Sequence, residues 1–463
     1  MIKREMSGKA MLLMSFAAFG IQFGSALQAA NMSSIYKYLG ANVSNIAFLW
    51  IGAPLIGLLA QPIIGFMSDR SWFRFLPGKF GRRQPYILMY GILGCISLFL
   101  MPNSSCLLMA FVLMWVLDLS NNGATEPYRA MIGDVAPKKQ MTKAFAIYTV
   151  LASLGASLAA LLPWIMINVF GLTGESAGSD IPLSIKLAFY IGSFSFIFFT
   201  CITIFSTQEY PPEDMDAFLA EKRELRKINP FVRFGRATKE ICYKVTHMPP
   251  VLMDFWIPQL FIWCALFCFW VYFGIGIAQN VYGLPPGAVV KGNALFSTEL
   301  MKGAAWCGVC FATYQIVSFI SSFFLPAIAK RTGGKAAYGL TLIAGSIGML
   351  SAYFIHNSFF MVLCMIGVGI TWAGIMTMPY SIIAHEISQE ELGVYMGLFN
   401  ITICIPQIIC SLTLGIIAKD IFHNRAMDIV FLGGILMFIG ALLMIRLQFR
   451  DNKRAKKTEV PAG

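Results

Sequence analysis

Charge is scarce in this chain of 463 residues: Asp, Glu, Lys and Arg together make up 13%. A soluble domain of this length needs far more polar surface to stay dispersed. Histidine is scarcer still, with four residues, His247, His356, His385 and His423. They fall at or near loop ends and do not cluster. A membrane-embedded enzyme would need a nucleophile–base pair or a metal cluster, and neither is built here. Eleven cysteines are scattered through apolar runs. Cys307 and Cys310 form a C-x-x-C pair inside a membrane-length stretch, without the second ligand pair that a zinc site wants. They read as buried small side chains, and no metal is expected. A cleavable leader is also missing. Lys3, Arg4 and Lys9 precede an apolar stretch of full spanning length that lacks an A-x-A-like exit, so the first helix is expected to be retained.

What fills the sequence instead is long apolar runs; 57% of residues are hydrophobic. A membrane-spanning helix needs roughly 20 such residues. Twelve candidates appear, at about 11–31, 44–67, 85–102, 106–130, 143–169, 185–206, 251–281, 303–329, 336–355, 358–384, 393–418 and 427–447. Barrel strands would be short and alternating, which these are not. The net charge of +12 suggests nucleic acid until the charges are placed. One set of loops holds 28 of the 35 Lys and Arg residues, and the opposite set holds Lys37, Lys186, Lys291, Lys302, Lys419 and Arg425. That asymmetry predicts both termini and the central loop in the cytoplasm, in the inner or plasma membrane, with no nucleic-acid partner. Residues 208–250 are the one long polar segment, carrying Pro211, Pro212, Pro230, Pro249 and Pro250 with charges of both signs. They read as a solvated linker, with a surface helix near 213–228, between a first half at 1–207 and a second at 251–463.

The halves are related. Span 4 ends in Pro127-Tyr128 with Asp134 seven residues after the Pro, and span 10 in Pro379-Tyr380 with Glu386 at the same spacing, an offset of 252. A shift of six spans preserves orientation, so the two six-helix halves are parallel repeats about an axis along the membrane normal. The expected fold is therefore all-α, with twelve transmembrane helices and a site near midplane between the halves.

Charges at bilayer depth cost about 2.5–3.5 kcal/mol on insertion scales, so those present face the interior and usually work. Span 4 is densest: Asp118, Asn122, Thr125 and Arg129 fall within about 60° of one another on one helix face, a stripe of ~16 Å. Asp118 has no basic residue one turn away, which suits a proton binder that can cycle. Arg129 is one turn from Glu126, and those two are expected to pair. Span 1 adds Gln22, Gln28 and Asn31. Neutral amides beside one acid and one arginine suit a polyhydroxylated neutral substrate, since they donate and accept without demanding charge. Trp263, Trp270 and Tyr272 of span 7, with Trp372 of span 10, offer faces on which sugar rings stack. After span 2 the chain reads Gly65-x-x-x-Asp69-Arg70, then Gly81-Arg82-Arg83. With Asp134 and Glu386, these charges form a candidate gate on the cytoplasmic side, the kind of contact that breaks and re-forms between two states.

Gly-x-x-x-Asp-Arg followed by Gly-Arg-Arg resembles the signature loop of the major facilitator superfamily. More narrowly, the chain resembles the sucrose–proton symporters of plants and their animal and bacterial relatives. The likeness lies in Gly20-Ile-Gln22-Phe-Gly24-Ser-Ala-Leu-Gln28, in Gln61-Pro62-Ile-Ile-Gly65-Phe-Met-Ser-Asp69-Arg70, and in Leu117-Asp118-Leu-Ser-Asn121-Asn122 with Arg129-Ala130 behind it. Gly393-Val-Tyr-Met-Gly397-Leu-Phe-Asn400 and Pro406-Gln407 resemble bacterial members. The resemblance implies proton-coupled uptake of a di- or oligosaccharide, a glucoside or a hexose by a monomer in the bilayer, with the proton as coupling ion and no other cofactor. Asp118 matches the family's proton-binding aspartate and Arg129 its essential arginine. Gln28, Asn31, Asn121, Asn122, Thr125, Glu126, Trp263 and Trp372 are the candidate substrate contacts. Three features depart from the family pattern: Ser25 where many relatives carry an aromatic, Glu126 where a neutral residue is usual, and a longer spacer from Arg70 to Gly81. Export of another small organic molecule by proton exchange is the alternative.

Overall fold

The structure is a computed structural model that describes residues 5–69, 71–76, 79–137, 140–172, 181–211, 248–386 and 392–458. The proposed surface helix near 213–228, and most of the 208–250 segment, lie outside the described residues. Fourteen α-helices and one short hairpin are present among them: α1 (Gly8–Tyr38), α2 (Val43–Leu49), α3 (Gly52–Asp69), β1 (Phe73–Leu76), β2 (Lys79–Gly81), α4 (Gln84–Leu100), α5 (Leu107–Val135), α6 (Met141–Asn168), α7 (Leu183–Ser206), α8 (Pro250–Tyr282), α9 (Ala294–Ser322), α10 (Leu325–Thr332), α11 (Gly334–Phe354), α12 (Ser358–Glu386), α13 (Leu392–Ile416) and α14 (Ala426–Thr458). Among the described residues, twelve helical segments are long and apolar enough to cross a membrane.

Local chemistry sets the helix ends. The Ser7 hydroxyl accepts from the amide of Ala10 at 3.1 Å and starts α1. Pro249 and Pro250 open α8, where a missing N–H is harmless, and Gly283 closes it in the left-handed region at φ 79°. The eighth span differs from its sequence-based bounds of 303–329. It starts at Ala294, capped by Asn293, and stops at Ser322, and the chain then forms the separate helix α10. An apolar window misses a helix end that projects past the hydrocarbon carrying Thr298, Glu299 and Lys302. The second span is likewise two helices, interrupted at Trp50 and Ile51.

The helices pack in two groups. In the first, α1 lies on α6 and α7, and α4 on α5 and α7; in the second, α8 and α11 lie on α14, and α12 on α9 and α11. The groups meet where α6 crosses α9, where α13 runs beside α2 and α3, and where α1 touches α8 and α9. At the α6–α9 crossing Gly308 lies against the carbonyl of Ala160, so close that a Cβ would overlap it. Small residues of this kind let membrane helices approach backbone to backbone.

The repeat also appears in the polar contacts on the side of the molecule that carries both termini, called here the terminal side. The Glu209 carboxylate, just past α7, accepts from the amides of Arg82, Arg83 and Gln84 at 2.6–3.1 Å and caps α4. At the matching place in the second half, Gln448 of α14 accepts from the amides of Lys335 and Ala336 at 3.1 and 3.4 Å and caps α11. Arg83 and Lys335, and Gln84 and Ala336, stand at the offset of 252 found between the two Pro-Tyr pairs.

Candidate functional site

A cavity of about 380 Å³ lies between the groups. The stripe of α5 forms one wall: Asp118, Asn121, Asn122, Thr125, Glu126 and Arg129 all line it. Successive turns of one helix deliver them, because their spacings of three and four residues keep one face. From α1 come Gln22, Ser25 and Gln28, and from α3 comes Gln61. The second group supplies Phe267 and Trp270 of α8, Phe311, Tyr314 and Gln315 of α9, and Gln407 of α13. One wall is thus polar and the facing one largely aromatic. A wider groove of about 580 Å³ between α11 and α12 has a rim of exposed Ile347, Phe354, Phe360 and Leu363. No acid or guanidinium lines it.

At the centre, Gln28 Nε2 donates to Asp118 Oδ1 at 2.6 Å, and Asn121 Nδ2 donates to Gln28 Oε1 at 3.2 Å. Asp118 is buried, and its second oxygen, Oδ2, has no hydrogen-bond partner among the described residues; neither has Asn121 Oδ1. Two unsatisfied acceptors beside a cavity call for donors from outside the protein: a proton, or the hydroxyls of a ligand. Arg129 sits nearer the terminal side. It pairs with Glu126 at 3.3 Å and donates to the Tyr148 hydroxyl at 3.4 Å, so the expected Arg129–Glu126 pair forms. Its side chain is 50% exposed, whereas Asp118 is 4% exposed, so the cavity is wettest toward the terminal side.

Three sequence-stated contacts take other places. Asn31 is fully buried, donates to the carbonyl of Leu27 at 3.1 Å and does not line the cavity. Trp263 and Trp372 stand one layer behind the wall, packed on Trp270 with ring centroids at 6.1 and 5.4 Å. Trp270 itself reaches the cavity, while Tyr272 is buried away from it. The physical reason is that between Leu260 and Ala278 α8 is apolar around its whole circumference, so periodicity does not select the face. Sequence reasoning also passed over Gln61, Tyr314, Gln315 and Gln407 as site residues. Polar side chains at bilayer depth were the signal that would have found the glutamines.

Among the described residues, the ion pairs of the charged loop on the terminal side lie within one half. Arg82 and Arg83 bridge Asp134 at 2.7 and 3.2 Å, and Arg83 also donates to the Ser68 hydroxyl at 2.7 Å. These contacts tie the loop after α3 to the end of α5. Arg70 lies outside the described residues, as do the side chains of Asp69 and Glu386. Cys307 and Cys310 are buried in α9.

The family model of the Major Facilitator Superfamily matches residues 14–308 and 298–462. Among curated proteins, the chain is 24% identical to the sucrose transport protein SUT5 of Oryza sativa subsp. indica, over 93% of this chain and 86% of that protein. It is 23% identical to the sucrose transport protein SUC4 of Arabidopsis thaliana, over 96% and 90%. Among solved structures, a peptide transporter POT in complex with sulfate aligns with a TM-score of 0.70 at 12% identity, covering 97% of each chain. The xylose transporter XylE from E. coli, in an inward open conformation, aligns with a TM-score of 0.63 at 12% identity, covering 94% of this chain and 95% of that one. With twelve spans, two packed groups and a family match along nearly its whole length, the chain is a multi-pass integral membrane protein and belongs to the Major Facilitator Superfamily.

Proposed function

We propose that this protein is a proton-coupled sugar symporter that works by alternating access. The single observation that carries the reading is the buried Asp118–Gln28–Asn121 network, with free acceptors at both ends, in a cavity between the two halves. The sucrose transport relatives support the sugar, and a di- or oligosaccharide or a glucoside suits a cavity of about 380 Å³ with one polar and one aromatic wall. A proton on Asp118 removes a costly charge from bilayer depth and turns a bare acceptor into a donor. Sugar then binds among Asn121, Asn122, Gln28 and Arg129, and the halves rock about it. Lys and Arg placement puts both termini in the cytoplasm, so the wet side of the cavity faces inward in this state.

The test is proton uptake by proteoliposomes on addition of sucrose, maltose or glucose, with Asp118→Asn in parallel. The wild type should move protons with sugar, faster as the pH on the sugar side falls. The variant should lose that movement and its pH dependence while still binding sugar. A folded wild type that moves no proton on any of a wide panel of sugars, but expels an organic dye, would overturn this reading in favour of export.

A further inference from the structure

Three primary amides form a chain that crosses from one half to the other. Asn400 Nδ2 of α13 donates to Gln61 Oε1 of α3 at 3.2 Å. Gln61 Nε2 donates to Asn122 Oδ1 of α5 at 2.6 Å, and Asn122 Nδ2 donates to the carbonyl of Asp118 at 2.8 Å. Gln61 and Asn122 line the cavity, and Asn400 does not. Gln61 lies eight residues before the end of α3 at Asp69, and Asn400 eight residues after the start of α13 at Leu392. The link therefore sits about two turns, roughly 12 Å, inside the terminal face. Two further hydrogen bonds between the halves, Lys37 to Ala288 and Tyr38 to Ser297, lie at the opposite side.

We propose that Gln61 is a positioning residue through which sugar in the cavity releases the contact between the halves. The inference rests on the sugar-binding reading given above. A primary amide donates and accepts at once, so Gln61 holds Asn122 with one atom and Asn400 with the other. A sugar hydroxyl inserted between them, donating to Asn122 Oδ1 and accepting from Gln61 Nε2, replaces the direct Gln61–Asn122 bond. Gln61 then turns toward the ligand and lets go of Asn400. The link holds the empty carrier in the state that is open to the terminal side, and the loaded one is free to rock. A single hydrogen bond between membrane helices biases an equilibrium by about threefold to fifteenfold, enough to bias a two-state element without freezing it.

The test is Asn400→Leu, with Asn400→Gln as the conservative variant and Gln61→Leu as a second break in the chain. Asn400→Leu should bind sugar about threefold to fifteenfold more tightly than wild type, because the cavity wall is intact and sugar no longer has to break the Gln61–Asn400 contact. Without sugar it should leak protons at least about threefold faster, and it should accumulate correspondingly less sugar per proton. Asn400→Gln should restore coupling. Hydrogen–deuterium exchange of the sugar-free protein in nanodiscs supplies a readout that needs no transport. Peptides from α3 and α13 should exchange faster in both Leu variants. Wild-type exchange and a wild-type proton-to-sugar ratio in both would overturn the proposal. A wild type that moves protons with no sugar would instead sink the symport reading, and the exchange comparison would still decide whether the amide chain holds the halves.

Discussion

At the scale of single residues, the aromatic wall separates a contact from its support. Trp270 faces the cavity, and Trp372 meets it edge-on at 80° from behind. Aromatic pairing contributes about 0.5–1.5 kcal/mol beyond the area it buries, so Trp270→Ala should raise the KM for a glucoside by about twofold to tenfold. Trp372→Phe keeps an edge for Trp270 and should change KM by less than about twofold. Uptake kinetics with both variants check this, and equal KM effects would show that Trp270 does not meet the sugar. The same pair shows what sequence can and cannot give. On α5 Asp118, Asn122, Thr125 and Arg129 share one face, and that cavity wall was legible from their spacing alone. Along the middle of α8 every face is apolar, and only packing against α9, α12 and α13 decides which tryptophan reaches the cavity. Gln61 was visible as part of a familiar motif, yet its role depends on Asn400, 339 residues away, and no local pattern joins those two.

At the scale of elements, each half fixes the start of its third span with a side chain from the end of its sixth, but with different chemistry. Glu209 is buried, 5% exposed, and takes three amides at the N-terminus of α4, where the helix dipole favours its negative charge. Gln448 takes two amides at longer range and brings no charge. Removing Glu209 leaves buried N–H groups unmet, a loss of about 1–3 kcal/mol. Glu209→Ala should therefore lower the thermal midpoint of the purified protein more than Gln448→Ala does, with Glu209→Gln between them. Equal midpoints for Glu209→Ala and wild type, followed by tryptophan fluorescence, would refute a bracing role. Span number and order were legible because hydrocarbon thickness sets a length that a hydropathy window can find. Ends were less so: α9 begins nine residues earlier than its apolar core because Asn293 caps it outside that core. Glu209 fell in a segment that composition marks only as polar linker, and its partners are backbone amides, which leave no trace in sequence.

At the scale of the whole molecule, the two sides are unequal. Arg129 is open toward the terminal side, while on the opposite side α1 is shut against the second half. There Lys37 is 1% exposed, and its ammonium donates to the carbonyl of Ala288 at 2.6 Å; the Tyr38 hydroxyl donates to the carbonyl of Ser297 at 3.3 Å. Both contacts must break when the halves rock to admit substrate from that side. A buried ammonium facing one carbonyl is poorly compensated for the water it gave up, so Lys37 raises the free energy of the closed state and favours opening. Lys37→Met removes that push while keeping the apolar stem. The closed state should then dominate, and the apparent affinity for sugar arriving from the opposite side falls with the fraction of carriers open to it. For a shift of about 1 kcal/mol, the KM for uptake should rise by about fivefold, while equilibrium binding to detergent-solubilised protein, which sugar also reaches from the terminal side, should change less. A KM that stays constant or falls would mean that Lys37 stabilises the closure, through its bond to Ala288, more than its burial opposes it.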